Sequence, residues 1–186
     1  MKKTFYLLAL ASLMVLGACS RQTAKDTTTS SSEATALPKG AITSKHEMET
    51  KRKFEYIVEM NDLQQIQWYE VTYKGEKLLH LTITLAQTLP EEVRSAITDD
   101  NREELLQSLR DTPGVKEAGE VKGMTVSTSL NEENQSVLVF DADMLQLDYQ
   151  AAANLATFGQ MFAGLKDMEA SNFLAGLNAL GAKEIK

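Results

Sequence analysis

The sequence has little of what most catalytic and metal sites are built from. Its 186 residues include one cysteine, Cys19, and two histidines, His46 and His80. One cysteine cannot form an internal disulfide, and a zinc site takes several Cys or His ligands. Glycine-rich dinucleotide-binding, Walker and nucleophile-elbow patterns are also missing from the sequence. We therefore expect no metal, no cofactor and no enzymatic activity.

No apolar run is long enough to cross a bilayer, which takes about 20 residues. The run Phe5–Leu16 has twelve residues, follows a lysine pair and suits the core of a signal peptide over residues 1–18. The adjoining Leu16–Cys19 segment resembles the lipobox of bacterial lipoproteins. That resemblance implies cleavage before Cys19 and acylation of this cysteine, for example with palmitate. The alternative is an ordinary secretory signal that ends beside a free cysteine.

Composition separates a polar N-terminal segment from the rest of the chain. Residues 19–49 contain the Ser/Thr run Thr27–Ser32 and few apolar side chains, so we expect a flexible tether behind the lipidated cysteine. Residues 50–186 are long enough for one domain with a normal core. The formal charge of −7 becomes −9 once the two lysines of the signal peptide are lost. Such an acidic chain is a poor nucleic-acid binder.

These features predict an extracytoplasmic protein whose first partner is a bacterial membrane, reached through lipid on Cys19. Ser20 follows the cysteine, so the aspartate that marks inner-membrane retention in such lipoproteins is missing. We expect the cell membrane in a host with one membrane and the outer membrane in a host with two.

Alternating apolar residues predict strands in two parts of the domain. Phe54–Met60 opens the first part, and Ile66–Tyr73 and Leu78–Leu85 flank a glycine-containing turn, as in a β-hairpin. A second hairpin is predicted from Met124–Leu130 and Val137–Ala142. The strands of the first hairpin are apolar on both sides, which is typical of strands covered on two faces or of a sheet that lines a ligand cavity.

Helical spacing appears between and after the hairpins. Thr88 and Glu91 form a capping-box pattern before one helix or two with a kink, which end at Pro113. Apolar stripes over Leu155–Leu165 and Phe173–Leu180 predict further helices. The order of strands, helix, strands and helices predicts an α+β domain with a mainly antiparallel sheet and helices packed on it.

The aromatic residues of the first hairpin are the strongest candidates for a binding site. Trp68 points to one side of its strand, and Tyr69 and Tyr73 point to the other. Large rings at these positions fit a hydrophobic core, and they also fit a groove for an apolar or peptide ligand. We name Trp68, Tyr69 and Tyr73 as candidate ligand-binding residues.

Two weaker patterns carry possible chemistry. His80 could pair with a serine of the second hairpin and Asp141, and the Asp141/Asp143 pair could support hydrolysis. The plainer interpretation is a surface histidine and a charged strand edge. Asp99, Asn101 and Glu103 alternate like the start of a calcium loop, but the required glycine and closing glutamate are missing, so a helix start is favoured.

The order of elements resembles that of a known family. The lipobox, the polar tether, the first hairpin, the Pro90 helix, the Gly114–Ala142 segment and the closing Leu177–Gly181 turn are together similar to the YehR-like small bacterial lipoproteins. This resemblance implies an extracytoplasmic α+β lipoprotein without assigned catalytic residues. We expect a non-enzymatic module that binds a small ligand or a partner of the cell envelope. The alternatives are an adaptor with a large exposed apolar patch, and a hydrolase that uses His80 or Asp141/Asp143.

Overall fold

The computed structural model describes residues 48–60 and 63–186, so the predicted signal peptide, Cys19 and nearly all of the tether lie outside the described residues. The described strands form a six-stranded antiparallel sheet with the order β4-β5-β3-β2-β1-β6. The α+β fold predicted from the sequence is confirmed. The strands are β1 (Glu49–Met60), β2 (Leu63–Lys74), β3 (Lys77–Gln87), β4 (Met124–Leu130), β5 (Ser136–Asp143) and β6 (Lys183–Ile185).

The helices are short and fall into two groups along the chain. Three of them connect β3 to β4, and the others, with one 3₁₀ turn, connect β5 to β6. They are α1 (Glu91–Arg94), α2 (Asp99–Arg110), α3 (Val115–Gly119), α4 (Tyr149–Ala153), α5 (Gly159–Phe162), the 3₁₀ turn Leu165–Asp167 and α6 (Ala170–Ala179).

Both predicted hairpins form, and turn residues explain where each one closes. Gly75 has a φ of 58° between β2 and β3, in the left-handed region that glycine adopts without strain. Between β4 and β5 the side chain of Asn131 accepts hydrogen bonds from the backbone N–H groups of Glu133 and Gln135 at 3.0 and 2.9 Å. Asn134 takes the left-handed conformation there, with a φ of 55°. The turns therefore fix the register of both hairpins.

The hydrophobic core lies between one face of the sheet and the helices. Strand residues Phe54, Val71, Leu81 and Phe140 are almost completely buried, and helix-side residues such as Phe158 meet them. The rings of Phe140 and Phe158 are 4.7 Å apart in an edge-to-face arrangement. This side of the sheet accounts for the buried core, and it is the side on which the helices pack.

Two sequence predictions about helices are wrong in detail. The helix predicted over Leu155–Leu165 is broken into α5 and the 3₁₀ turn, because Gly164 adopts a left-handed φ of 81° between them. The predicted capping box at Thr88 does not form, since Pro90 is the N-cap residue of α1. The capping box lies one helix later, where Asn101 Oδ1 accepts a hydrogen bond from the Thr98 backbone N–H at 2.8 Å.

The end of the described chain returns to the sheet. Gly181 closes α6 in the left-handed conformation, with a φ of 86°, as expected from the sequence. The following strand β6 pairs with residues 53–55 of β1. The Arg52 guanidinium also contacts both carboxylate oxygens of Glu184, at 2.7 and 2.5 Å. Strand β6 is only three residues long, which is too short for a periodic sequence pattern to predict it.

Candidate functional site on the helix-free face of the sheet

The face of the sheet that points away from the helices has a defined set of side chains, which we call the open face. Strand pairing aligns these side chains in rows from β1 to β4. Among the described residues, Ala86 is the only member classed as buried, and no member belongs to the core cluster. The members are Lys51, Lys53, Glu55, Ile57, Glu59, Gln64, Ile66, Trp68, Glu70, Thr72, His80, Thr82, Thr84, Ala86, Val137, Val139, Asp141, Asp143, Thr125, Ser127 and Ser129.

Two adjacent rows make the centre of the open face apolar. One row runs from Ile57 through Ile66 and Ala86 to Val137, and the next carries Trp68 and Val139. We call these six residues the apolar patch. Ile57 is 47% exposed, which is the largest exposed fraction among the six residues. The patch is therefore accessible at its β1 end. A contiguous apolar surface rimmed by polar residues is typical of an interaction site.

Trp68 is the largest side chain of the apolar patch, and a polar contact fixes its orientation. Its indole N–H donates a hydrogen bond to Glu55 Oε2 on β1 at 2.9 Å. The two residues are also direct cross-strand partners in the register of β1 and β2. The apolar body of the indole is therefore held on the open face while its polar atom is satisfied.

Charges of opposite sign lie on opposite sides of the open face, at the same end of the strands. Lys51 and Lys53 lie on β1, and the Lys51 ammonium contacts Glu70 at 2.7 Å. Within residues 48–60 and 63–186, Lys53 makes no ion pair. The corner on β5 carries Asp141 and Asp143. The open face thus carries Lys51 and Lys53 among the carboxylates Glu55, Glu59 and Glu70 on β1 and β2, and, of charged groups, only carboxylates on β5.

The structure separates the three aromatic residues that the sequence singled out. Trp68 lies on the open face, whereas Tyr69 and Tyr73 point to the helix side. Tyr69 is 3% exposed, and its hydroxyl donates a hydrogen bond to Gln67 Oε1 at 2.6 Å. Burial, together with the neighbouring Tyr56, raises the pKa of Tyr69 to about 12. The core interpretation therefore fits Tyr69, and Trp68 alone of the three reaches the open face.

His80, Asp141 and Asp143 do come together, but on an exposed surface. His80 Nε2 forms an ion pair with Asp141 Oδ1, and their side chains are 42% and 46% exposed. His80 is also the cross-strand partner of Asp143. No serine hydroxyl in the described part of the chain is hydrogen-bonded to His80. The three groups converge, as the hydrolase alternative expects, at partly exposed positions of β3 and β5.

Asp143 has a structural role at the end of β5. One carboxylate oxygen accepts a hydrogen bond from the Leu145 backbone N–H at 2.9 Å, and the other accepts one from the Gln146 side chain at 2.6 Å. The hydrogen bond from Leu145 is the main reason why the pKa of Asp143 lies below its usual value. These contacts form the turn that leads out of the sheet.

Neither metal binding nor membrane spanning gains support from the described residues. Across residues 48–60 and 63–186 no group of three or more His, Cys, Asp or Glu side chains is arranged to hold a metal ion. Asp99 and Asn101, which resembled a calcium loop, lie in the first turn of α2. Within the same residues no helix has the length and apolarity needed to cross a membrane.

The apolar stripe over Leu155–Leu165, which could have supplied an exposed patch for an adaptor, belongs to the core instead. Phe158 and Phe162 are each 1% exposed, and Leu165 is 4% exposed. The exposed apolar surface instead comes from β1, β2, β3 and β5. The sequence of β5 shows that both faces of this strand are apolar, since Val137 and Val139 flank the buried Leu138. It does not show which of the two faces the helices cover.

Comparison with known proteins gives similarity in fold. A protein from Streptococcus pneumoniae TIGR4, solved by NMR, has a TM-score of 0.58 and 22% identity over 90% of this chain and 100% of its own. The NMR structure of the E. coli YehR protein has a TM-score of 0.46 and 19% identity over 75% of this chain and 93% of its own. No family model matches the sequence, and no curated protein matches it. The relation to YehR is distant.

Proposed function

We propose that this chain is a non-enzymatic binding module of the bacterial cell envelope, held on a membrane by lipid on Cys19. Its open face is the docking surface, and Trp68 is the central contact residue. The observation that carries this proposal is the apolar patch, in which Ile57 is 47% exposed, on the face of the sheet opposite the core. Membership of the YehR-like family is part of the same proposal.

The apolar patch favours a binding role because nothing in the domain's own packing requires it. A sheet with one solvated face normally alternates apolar residues inside with polar residues outside. Here the face of β1 and β2 opposite the core carries the apolar residues Ile57, Ile66 and Trp68, at positions where polar residues are usual. Covering apolar surface contributes about 25 cal/mol per Å², so a partner that covers this patch gains free energy that the isolated domain forgoes.

The apolar patch contributes no residue to two depressions of the described surface, of about 350 and 800 Å³. Other open-face residues do, with Ser127 lining the smaller depression and Lys51, Lys53 and Glu70 lining the larger. Trp68 contributes to neither. An apolar surface that is flat and wide suits protein docking, with the aromatic residue as the energetic centre.

The expected length of the tether is compatible with docking by a lipid-anchored domain. The predicted tether of residues 19–49 has a root-mean-square reach of roughly 30 Å. Strand β1 begins at Glu49, so the tether joins the domain at one end of the strands. The open face can therefore meet a partner in the envelope while the lipid on Cys19 keeps the chain at the membrane.

Site-specific photo-crosslinking in intact cells tests the docking surface. The probe is benzoylphenylalanine at position 68, and the matched control carries it at Gln160, an exposed residue of α5 on the helix side. We expect a discrete adduct from position 68 and none from position 160. Equal labelling from both positions, or no adduct from position 68, would contradict the proposal.

The anchor has its own test. Cys19→Ala should move the protein from the membrane fraction to the soluble fraction or leave its precursor uncleaved, while mature wild-type chain should carry an acyl mass on its first residue. A Cys19→Ala chain that is processed normally and stays on the membrane would show that lipid on this cysteine does not hold it.

A further inference from the structure

We propose that the partner which occupies the open face is a second copy of this chain. This inference rests on the docking role proposed above and names the partner for it. The two sheets pack face to face about a twofold axis that runs parallel to the strands, between β2 and β3. The argument depends on how that rotation superposes the rows of the open face.

A twofold axis along the strands exchanges the two sides of the sheet and leaves each row in place. Strand β1 of one copy then lies over β5 of the other, and β2 lies over β3. Because the rows keep their position along the strands, every residue meets a residue of its own row. Aligned sheets pack about 10 Å apart and cross at about 30°, so the match holds best near the axis.

The apolar rows then meet apolar rows. Ile57 lies over Val137 of the second copy, and Ile66 lies over its Ala86. The small Ala86 side chain leaves room for the larger one opposite. Trp68 lies over Thr84 of the second copy, next to the axis, so the two indoles come close to each other at the centre of the interface. This is the usual position for an aromatic anchor.

The charged corners complement each other under the same rotation. Lys53 lies over Asp141 of the second copy, and Lys51 lies over its Asp143. Each pair occurs twice because of the symmetry. Lys53 has no ion pair of its own in the described part of the chain, and the intramolecular partner of Asp141 is His80, which is positive only when protonated. The second copy supplies the missing counter-charge at the edge of the apolar patch.

An axis across the strands gives a poor match by comparison. It lays β1 over β1 and β5 over β5 and reverses the rows, so that Asp141 faces a strand whose open face carries no cation. A carboxylate without a counter-charge in an interface is costly. It also sends the two tethers to opposite ends of the dimer. With the axis along the strands, both chains enter at Glu49 on the same end, and both lipids can reach one membrane.

The available area is smaller than that of a standard interface and suits a weak dimer. Four strands spaced about 4.8 Å apart and seven residues of about 3.4 Å each give a footprint of roughly 450 Å² per copy. Accessible area exceeds the flat footprint because side chains are corrugated, and a standard interface buries about 800 Å² per partner. Two membrane-anchored copies also meet at a raised effective concentration.

Zero-length carbodiimide coupling of the full chain tests the pairing directly. The reagent joins a lysine amine to a carboxylate that it already contacts. We expect a covalent dimer whose crosslinked peptide joins Lys53 to Asp141, and a mixture of isotopically light and heavy chains should give mixed-label product. Mixed label identifies the link as one between copies.

Charge reversal adds a test of the symmetry. Lys53→Asp and Asp141→Lys should each weaken dimerisation in sedimentation measurements about tenfold or more, since each places like charges at two contacts. The double variant should restore it, because the reversed pairs again match. Lys166→Glu, an exposed change on the helix side, is the charge-matched control and should leave the dimer intact.

The outcomes separate this inference from the proposed function. A chain that stays monomeric, or a dimer that neither single reversal weakens, overturns the second copy as partner. So does a dimer that the double variant fails to restore. If the photo-crosslink from position 68 then captures another protein, the docking surface stands without the dimer. If position 68 gives no adduct at all, the docking surface itself is wrong.

Discussion

Alanine substitution of two neighbouring residues separates the open face from the core. Trp68 and Tyr69 are adjacent on β2 and point to opposite faces of the sheet. Tyr69 is 3% exposed, and truncation of a buried aromatic residue costs about 3–5 kcal/mol. In a domain of this size that lowers Tm by roughly 9–20 °C, since 1 kcal/mol corresponds to about 3–4 °C.

Trp68→Ala should cost much less, because the residue packs on one side only. It loses cross-strand contacts with Glu55 and Thr84, worth about 0.2–1 kcal/mol each. It also loses a partly exposed hydrogen bond to Glu55, worth on the order of 1 kcal/mol. The sum is about 1.4–3 kcal/mol, or a fall in Tm of roughly 4–12 °C.

Thermal and urea unfolding of the full chain, followed by circular dichroism, measures both variants. Tyr69→Phe is the matched control for the core, because it keeps the ring and removes only the hydroxyl that reaches Gln67. It should cost about 1 kcal/mol. If Trp68→Ala proves as destabilising as Tyr69→Ala, then Trp68 is a packing residue and the open face is not free for a partner.

Three further predictions follow. Gly123→Ala should destabilise the domain strongly, because Gly123 has a φ of 80° and an added Cβ would lie 2.5 Å from the Leu147 backbone nitrogen. Gly176→Ala is the control, since the space around Gly176 is open, and equal free energies of unfolding for the two variants would refute this prediction. Hydrogen bonds lower the pKa values of Asp143 and Glu184 in the folded state. These two groups therefore stabilise the fold fully above their unfolded-state pKa, and this contribution is lost as pH falls through the folded-state pKa. A free energy of unfolding in urea that stays constant from pH 7 to pH 3 would contradict this. Trp68 is the sole tryptophan, so its emission should shift to shorter wavelength as protein concentration rises, and constant emission across the dimerisation range would argue against dimerisation over this face.

Local patterns predicted the hairpins well because their information is local. Period-two alternation marks β2 and β3, and a glycine marks the turn between them. The break between α5 and the 3₁₀ turn was missed because the apolar stripe continues through it. Phe158, Phe162 and Leu165 all reach the core although the backbone is not one helix. Helical spacing thus identified the buried residues correctly and their secondary structure only in part.

Strand β6 and the open face could not be read from the sequence for a different reason. Strand β6 depends on long-range pairing with β1, and three residues carry no period of their own. Strand β5 carries apolar residues on both faces, Leu138 and Phe140 on one and Val137 and Val139 on the other. Alternation shows that two apolar rows exist, while the choice of the covered row depends on where distant helices pack.

An uncovered apolar sheet face is a liability for a protein concentrated on a membrane, because it invites unspecific association. The net charge of −7 opposes this, since copies repel each other in most orientations. Association then requires an orientation that brings opposite charges together, and the open face offers Lys53 and Asp141 on opposite sides of one row. The apolar patch therefore supplies the affinity and the charged corners select the orientation. An axis along the strands satisfies both conditions, and it leaves both tethers at one end.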